Sequence, residues 1–218
     1  MIRGVLFDMD GVMIDSERQS DEGWAYSAKV QGEEMPIWLM NGFKGAPRPD
    51  CVKMFDEHFK GRLEYNETRR IRTDFVHRLR EKEGIPVKPG LKELLDYLKS
   101  AGIPCAVATS TEKSSAEKTL HSIGAWDYLS AVVYGDEVEH GKPHPDIFLK
   151  AAERIHVNPR DCIVVEDSIH GIRAGHAAGA RVIHVPDTIK IKDDVRALTW
   201  HVVDTLAEIP ALIEAENS

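Results

Sequence analysis

Apolar and polar positions along the chain follow two different rhythms. From Leu91 onward, short apolar runs alternate with apolar residues spaced three or four apart. Leu91, Leu94, Leu95 and Leu98 share one helical face, which Gly102 closes. Residues 103–108 predict a strand, and Ala116, Leu120 and Ile123 predict a helix ended by Gly124. Residues 131–134 predict a strand; Phe148, Ala151, Ala152 and Ile155 a helix; residues 162–165 a strongly apolar strand. A helix of small residues follows, then a strand at 181–185, a weaker one at 201–203 and a last helix from Leu206. Such alternation predicts parallel β-α units with both sheet faces covered.

Residues 2–7, broken only by Arg3 and Gly4, predict one further buried strand that ends abruptly in Asp8-Met9-Asp10-Gly11. Between about 16 and 84 the rhythm is helical throughout. Ser16-Glu17 reads as a helix start, with Trp24, Ala25 and Ala28 as a short apolar face, and residues 35–40 form a second apolar patch. Pro49 suits a first helical turn and leads Val52, Phe55 and Phe59; Ile71, Phe75 and Leu79 recur every four residues. Gly84-Ile85-Pro86 and Pro89-Gly90 punctuate the end of this stretch. The layout predicted is an α/β core, residues 1–15 and 85–218, with an all-helical insertion at 16–84.

Composition narrows the function classes. The 218 residues suffice for one large domain or two small ones, and 42% hydrophobic with 29% charged residues is ordinary for a soluble globular chain. A net charge of −8 argues against a nucleic-acid partner. No apolar stretch reaches the length of a membrane span, and a chain that starts in a core strand is expected to carry no signal peptide. Three scattered cysteines without a C-x-x-C spacing fit a reducing cytoplasm, with Cys105 and Cys162 as small buried hydrophobes. The ten histidines show no ligand spacing and read mostly as surface residues.

In open α/β sheets ligands bind beyond the carboxyl ends of the strands. There the predicted strands deliver Asp8 and Asp10, Thr109 and Ser110, Lys142-Pro143, and Glu166-Asp167. Each has a plain alternative: Thr109 and Asp167 as helix caps, Lys142 as a solvated loop lysine. Two acidic pairs, a hydroxyl and a lysine at one sheet end nevertheless make a coherent set. Gathered carboxylates would bind a hard cation, for which Mg2+ is the natural choice, while hydroxyl and lysine would hold phosphate oxygens. One carboxylate could attack phosphorus and its neighbour two residues on could move protons.

The sequence resembles the haloacid dehalogenase-like superfamily, in particular its β-phosphoglucomutase-like phosphatases, over essentially the whole chain. Asp8-Met9-Asp10-Gly11, Thr109, Lys142-Pro143 and Glu166-Asp167-Ser168 look like its four motifs in order. The resemblance implies a Rossmann-like parallel-sheet core with a helical cap at 16–84, hinged near 13–16 and 83–89. It implies Asp8 as nucleophile and Asp10 as general acid and base. Mg2+ would be held by Asp8, the backbone carbonyl of Asp10 and Asp167, with Glu166 as an additional or outer partner. Thr109, the backbone around Ser110 and Lys142 would bind the transferring phosphoryl group of a small phosphorylated metabolite, such as a sugar phosphate. In the cap, Lys44-Gly45-Ala46-Pro47-Arg48 resembles the substrate loop of β-phosphoglucomutases, so Lys44 and Arg48 are expected to face the substrate, the arginine gripping a second phosphate. Those mutases carry a cap histidine where this chain reads Ser16-Glu17-Arg18-Gln19-Ser20. Its absence favours a phosphatase over the alternative, a β-phosphoglucomutase interconverting β-glucose 1-phosphate and glucose 6-phosphate. A monomer in the cytoplasm is expected. Gly171, Gly175 and Gly179 read as close helix packing on the sheet. His140, His144 and His170 lie near the third and fourth motifs without an assigned role.

Overall fold

A computed structural model describes residues 1–44, 46, 48–187 and 191–218. The chain divides into two compact units, Met1–Asp15 with Pro86–Ser218, and Ser16–Ile85. In the first, six parallel strands are formed among the described residues: β1 (Gly4–Phe7), β2 (Cys105–Thr109), β3 (Ala131–Tyr134), β4 (Cys162–Glu166), β5 (Arg181–His184) and β6 (His201–Val202). Their order is β3-β2-β1-β4-β5-β6. β1 therefore lies in the middle, with Phe7 in register with Val107 on one side and Val165 on the other. The chain order reverses beside β1, which is where an open sheet splays its connections and leaves a crevice.

Side chains alternate across the strands. Leu6, Ala106, Ala108, Val133 and Val164 form one core with Ile147, Phe148, Ala151 and Ala152 of α7 (Asp146–Arg154) and Ile172 and Ala174 of α8 (Ile169–Ala177). Each fully buried large side chain there contributes roughly 1.5–3 kcal/mol of apolar transfer. Helix α5 (Leu91–Ser100) buries Leu91, Leu94, Leu95 and Leu98, as its spacing predicts. Between α5 and α7 runs α6 (Lys113–Ser122); after α8 come α9 (Asp193–Arg196), too short to leave a sequence period, and α10 (Ile209–Asn217). The last helix starts three residues later than expected because Leu206–Glu208 is a 3-10 turn.

Two of the three spaced glycines do pack closely. A Cβ on Gly175 would meet Val164 Cγ1 at 2.8 Å, and one on Gly171 would fall on the Glu166 carboxylate. Gly179 differs: it follows the end of α8 with φ of +81° and accepts the left-handed turn that stops the helix. His184, expected at the surface like most histidines, is 2% exposed.

The second unit holds α1 (Ser16–Lys29), α2 (Ile37–Phe43), α3 (Arg48–Phe59) and α4 (Tyr65–Glu83). Trp24, Leu39, Phe55, Phe59 and Tyr65 make its core. Trp38, by contrast, is 58% exposed. On α4 the most buried side chains are Tyr65, Thr68 and Val76, while Ile71, Phe75 and Leu79 are half-buried along its flank, Phe75 stacking on Tyr26. Gly45 and Pro47 of the predicted substrate loop lie outside the described residues. Where the sheet-bearing unit gives way to the insertion its two chain segments pair: Ile14 bridges Val87, Asp15 N–H donates to Pro86 O at 2.9 Å and Lys88 N–H to Met13 O at 3.0 Å.

Candidate active site

The turn after β1 sets the site. Gly11, at φ +84°, lets the chain double back so that its N–H donates to Ile14 O. A Cβ on Gly11 would lie 2.3 Å from Asp167 Oδ2, so this turn and the end of β4 are in close approach. Asp8 is 8% exposed and accepts a hydrogen bond from Lys142 Nζ. The same ammonium donates to Glu166 Oε1 at 2.7 Å and rests over the Phe148 ring. Glu166 is fully buried; its other oxygen accepts from Asp167 N–H, Ser168 N–H and Ser168 Oγ–H, each at 3.0 Å. Ser168 in turn caps α8 by accepting from Gly171 N–H.

The end of β2 supplies the opposite wall. Thr109 is 1% exposed, and its hydroxyl accepts from Thr111 N–H at 3.0 Å. Thr111 Oγ–H donates to Asp10 Oδ2 at 2.8 Å. Ser110 is exposed, with the Gly135 backbone close beside its own.

Electrostatics mark these groups apart from ordinary surface charges. Burial pushes the Asp8 carboxyl up, Glu166 and Asp10 add to the effect, and Lys142 opposes it. Asp167 is raised well above the carboxylate range by burial and then by Glu166, Asp8 and Asp187. Burial disfavours the Lys142 charge, but Asp8 and Glu166 outweigh it and hold the ammonium above its usual range.

Asp8, Asp10, Thr109, Lys142, Glu166 and Asp167 thus meet at one end of the sheet, with Ser110 at its edge. Among the described residues no three His, Cys, Asp or Glu side chains gather at ligating geometry. The set implied for Mg2+ needs only Asp8, Asp167 and a backbone carbonyl, oxygen donors throughout, which suits an ion that keeps several waters. The buried, mutually repelling Asp8 and Asp167 are where a cation would relieve charge. Glu166, expected as an additional or outer partner of the metal, has both oxygens accepting hydrogen bonds, one from Lys142 and the other from the β4-α8 turn.

The cap residues sit in the helical unit. Lys44, expected to face the substrate, is 7% exposed and pairs with Asp21 at 2.8 Å and Glu17 at 3.6 Å within its own unit. Arg48 donates to Asn66 Oδ1 at 2.8 Å. His140 contacts Asp146 and the His144 ring on the exposed α7 approach, and His170 follows the Ser168 cap. Thr111 escaped the sequence reading, although the run Thr109-Ser110-Thr111 offers three hydroxyls in a row.

The haloacid dehalogenase-like hydrolase family model matches residues 2–179. The chain belongs to that family. Among curated members, a phosphorylated carbohydrates phosphatase of Thermotoga maritima is 33% identical over 84% of this chain and 84% of its own length. The fructose-1-phosphate phosphatase YqaB of Escherichia coli is also 33% identical, over 84% of this chain and 95% of its own. Among solved structures of the family, CbbY from Rhodobacter sphaeroides in complex with xylulose-1,5-bisphosphate superposes with a TM-score of 0.77 at 26% identity, covering 95% of this chain and 96% of that one. The Rossmann-like α/β core with a helical unit is the architecture these members share.

Proposed function

We propose that this protein is a Mg2+-dependent phosphatase that hydrolyses a small phosphorylated metabolite, a sugar phosphate, through an aspartyl-phosphate on Asp8. As a member of its family it is a phosphoric monoester hydrolase. The observation that carries the finer reading is the buried carboxylate of Asp8 at the end of the central strand, held by a lysine that Glu166 holds from the other side.

In the first step an Asp8 oxygen bonds to phosphorus as the bond to the substrate's alcohol oxygen breaks, and protonated Asp10 delivers its proton to that leaving oxygen. Asp10, now a carboxylate, takes a proton from water, whose oxygen attacks phosphorus and releases phosphate and free Asp8. Lys142 faces the phosphoryl oxygens and neutralises the charge they gather. Thr109, because its oxygen accepts from Thr111 N–H, keeps its hydroxyl proton for a phosphoryl oxygen. Mg2+ held by Asp8, the Asp10 carbonyl and Asp167 would polarise the same group. The helical unit would choose the substrate, Arg48 meeting a second anionic group. The relatives named for phosphorylated carbohydrates and fructose 1-phosphate support a sugar phosphate as substrate; a cytoplasmic monomer is part of the same proposal.

A product assay tests this. Given β-glucose 1-phosphate, Mg2+ and a trace of the 1,6-bisphosphate, the enzyme should release phosphate. Glucose 6-phosphate without phosphate release would make it a mutase. Asp8→Asn should lose all turnover with its circular dichroism unchanged; retained activity in that variant removes the aspartyl-phosphate.

A further inference from the structure

Beside the motif residues stands a pair that none of the steps above uses. Lys88 Nζ donates to Asp187 Oδ1 at 2.8 Å, with side chains 13% and 10% exposed. Asp187 lies just past β5, and Val185 N–H donates to Glu166 O, so this loop runs alongside the one that carries Asp167. The second oxygen, Asp187 Oδ2, is buried with no hydrogen-bond partner among the described residues. A buried carboxylate oxygen left unmatched is unfavourable, so its place calls for a donor that the described residues do not supply. Asp187 also stands near enough to Asp167 to be felt there as negative charge.

Lys88 is placed by the backbone, not by the sheet. Its N–H donates to Met13 O in the paired segments where the chain passes between units, next to the bridge between Ile14 and Val87. Among the described residues Asp8, Asp10, Glu166, Asp167 and Asp187 stand here against Lys142 and Lys88, an excess of acid that a cation would balance.

We propose that Asp187 is a positioning residue for the cation site, its free oxygen accepting from a water carried by the ion, with Lys88 restraining its charge from the other side. This rests on the reading that Asp8 and Asp167 hold a divalent cation. An ammonium on one oxygen and a metal-bound water on the other would orient the carboxylate without making it a ligand. Outer partners of this kind are worth about 10- to 100-fold in metal affinity. Lys88 opposes the ion by charge, so the two members of one pair act with opposite sign.

The test is calorimetric titration of the metal-stripped protein with Mg2+, repeated with Mn2+ by electron paramagnetic resonance, alongside thermal melts without metal. Asp187→Asn should weaken cation binding about tenfold or more. Lys88→Met should leave it equal or tighten it a few-fold. The double variant, which leaves no unpaired buried charge, should bind as weakly as Asp187→Asn and guards against poor folding of either single change. If the pair is only a clamp, both single variants will lower the melting temperature alike and leave affinity within twofold of wild type, which overturns the inference. Wild-type protein that binds the ion, with Asp167→Asn losing it, upholds the underlying reading independently. No cation binding by wild type overturns both.

Discussion

The two units spend their charged residues in opposite ways. In the sheet-bearing unit Asp8, Lys142 and Glu166 are almost shut off from water and lean on one another. In the helical unit the interior is aromatic, with Trp24 against Phe43 and Phe55 against Phe59 and Tyr65, and pairs such as Arg62 with Glu33 or Arg70 with Glu67 lie toward solvent. An exposed pair is replaced by water when one partner goes; a buried one leaves its partner stranded. The charges at the strand ends of the first unit are thus held away from water, while these pairs of the helical unit stay in it.

The largest break in this contrast should come from Lys142→Met. Asp8 and Glu166 would face each other without a cation, costing about 3–5 kcal/mol in urea unfolding, and phosphate release should fall at least about 1,000-fold. A loss of activity with stability unchanged would mean that water already shields the pair. Thr111→Val comes next: with Asp10 unpinned, kcat should drop roughly 10- to 100-fold with KM little altered, and Thr111→Ser should recover most of it. Equal rates in all three proteins would show that Asp10 finds its position unaided.

Glu137 sharpens the comparison through pH. Arg154 and the Tyr134 N–H hold its carboxyl down to about 2, against an ordinary 4.5. A lowered folded-state value stabilises the fold in full above about pH 4.5, and that contribution drains away as pH falls toward 2. Glu137→Gln should therefore melt about 2–4 °C lower than wild type at pH 7, the gap closing below pH 4. A gap independent of pH would assign the effect to packing. The smallest change should be Arg62→Ala in the helical unit, worth about 0.2–1 kcal/mol and reduced further by salt. A cost near that of Lys142→Met would erase the distinction between the units.

Much of this was legible in the sequence because burial writes itself into periodicity. The strand at 131–134 and the leucines of α5 fall where the pattern places them, since Val133 and the four leucines are buried in a core that admits nothing polar. The groups at the strand ends were legible for a related reason: Asp8, Thr109 and Glu166 directly follow or close apolar runs, so topology alone delivers them together. What escaped depends on side chains reaching across loops. Thr111 meets Asp10 over a separation of 101 residues, and Lys88 meets Asp187 over 99; neither run has a period to read. The period of Ile71, Phe75 and Leu79 marks α4 correctly, but the deeper burial of Tyr65 and Thr68 on the same helix leaves no such period, since Thr68 is held by a hydrogen bond to Glu64 O while Phe75 stacks on Tyr26. The pairing of Lys44 with Asp21 and Glu17 was likewise not legible, because it joins a loop to a helix more than twenty residues earlier.

The paired crossing at Ile14 and Val87 has a further consequence. An insertion whose entry and exit are stitched side by side is a closed loop as far as the sheet is concerned. Because residues 13–15 and 86–88 themselves make the stitch, a change of length within the insertion should leave the strand registers unshifted. The helical unit is in that sense a cassette. Trading one such cassette for another would leave the groups at the strand ends where they are.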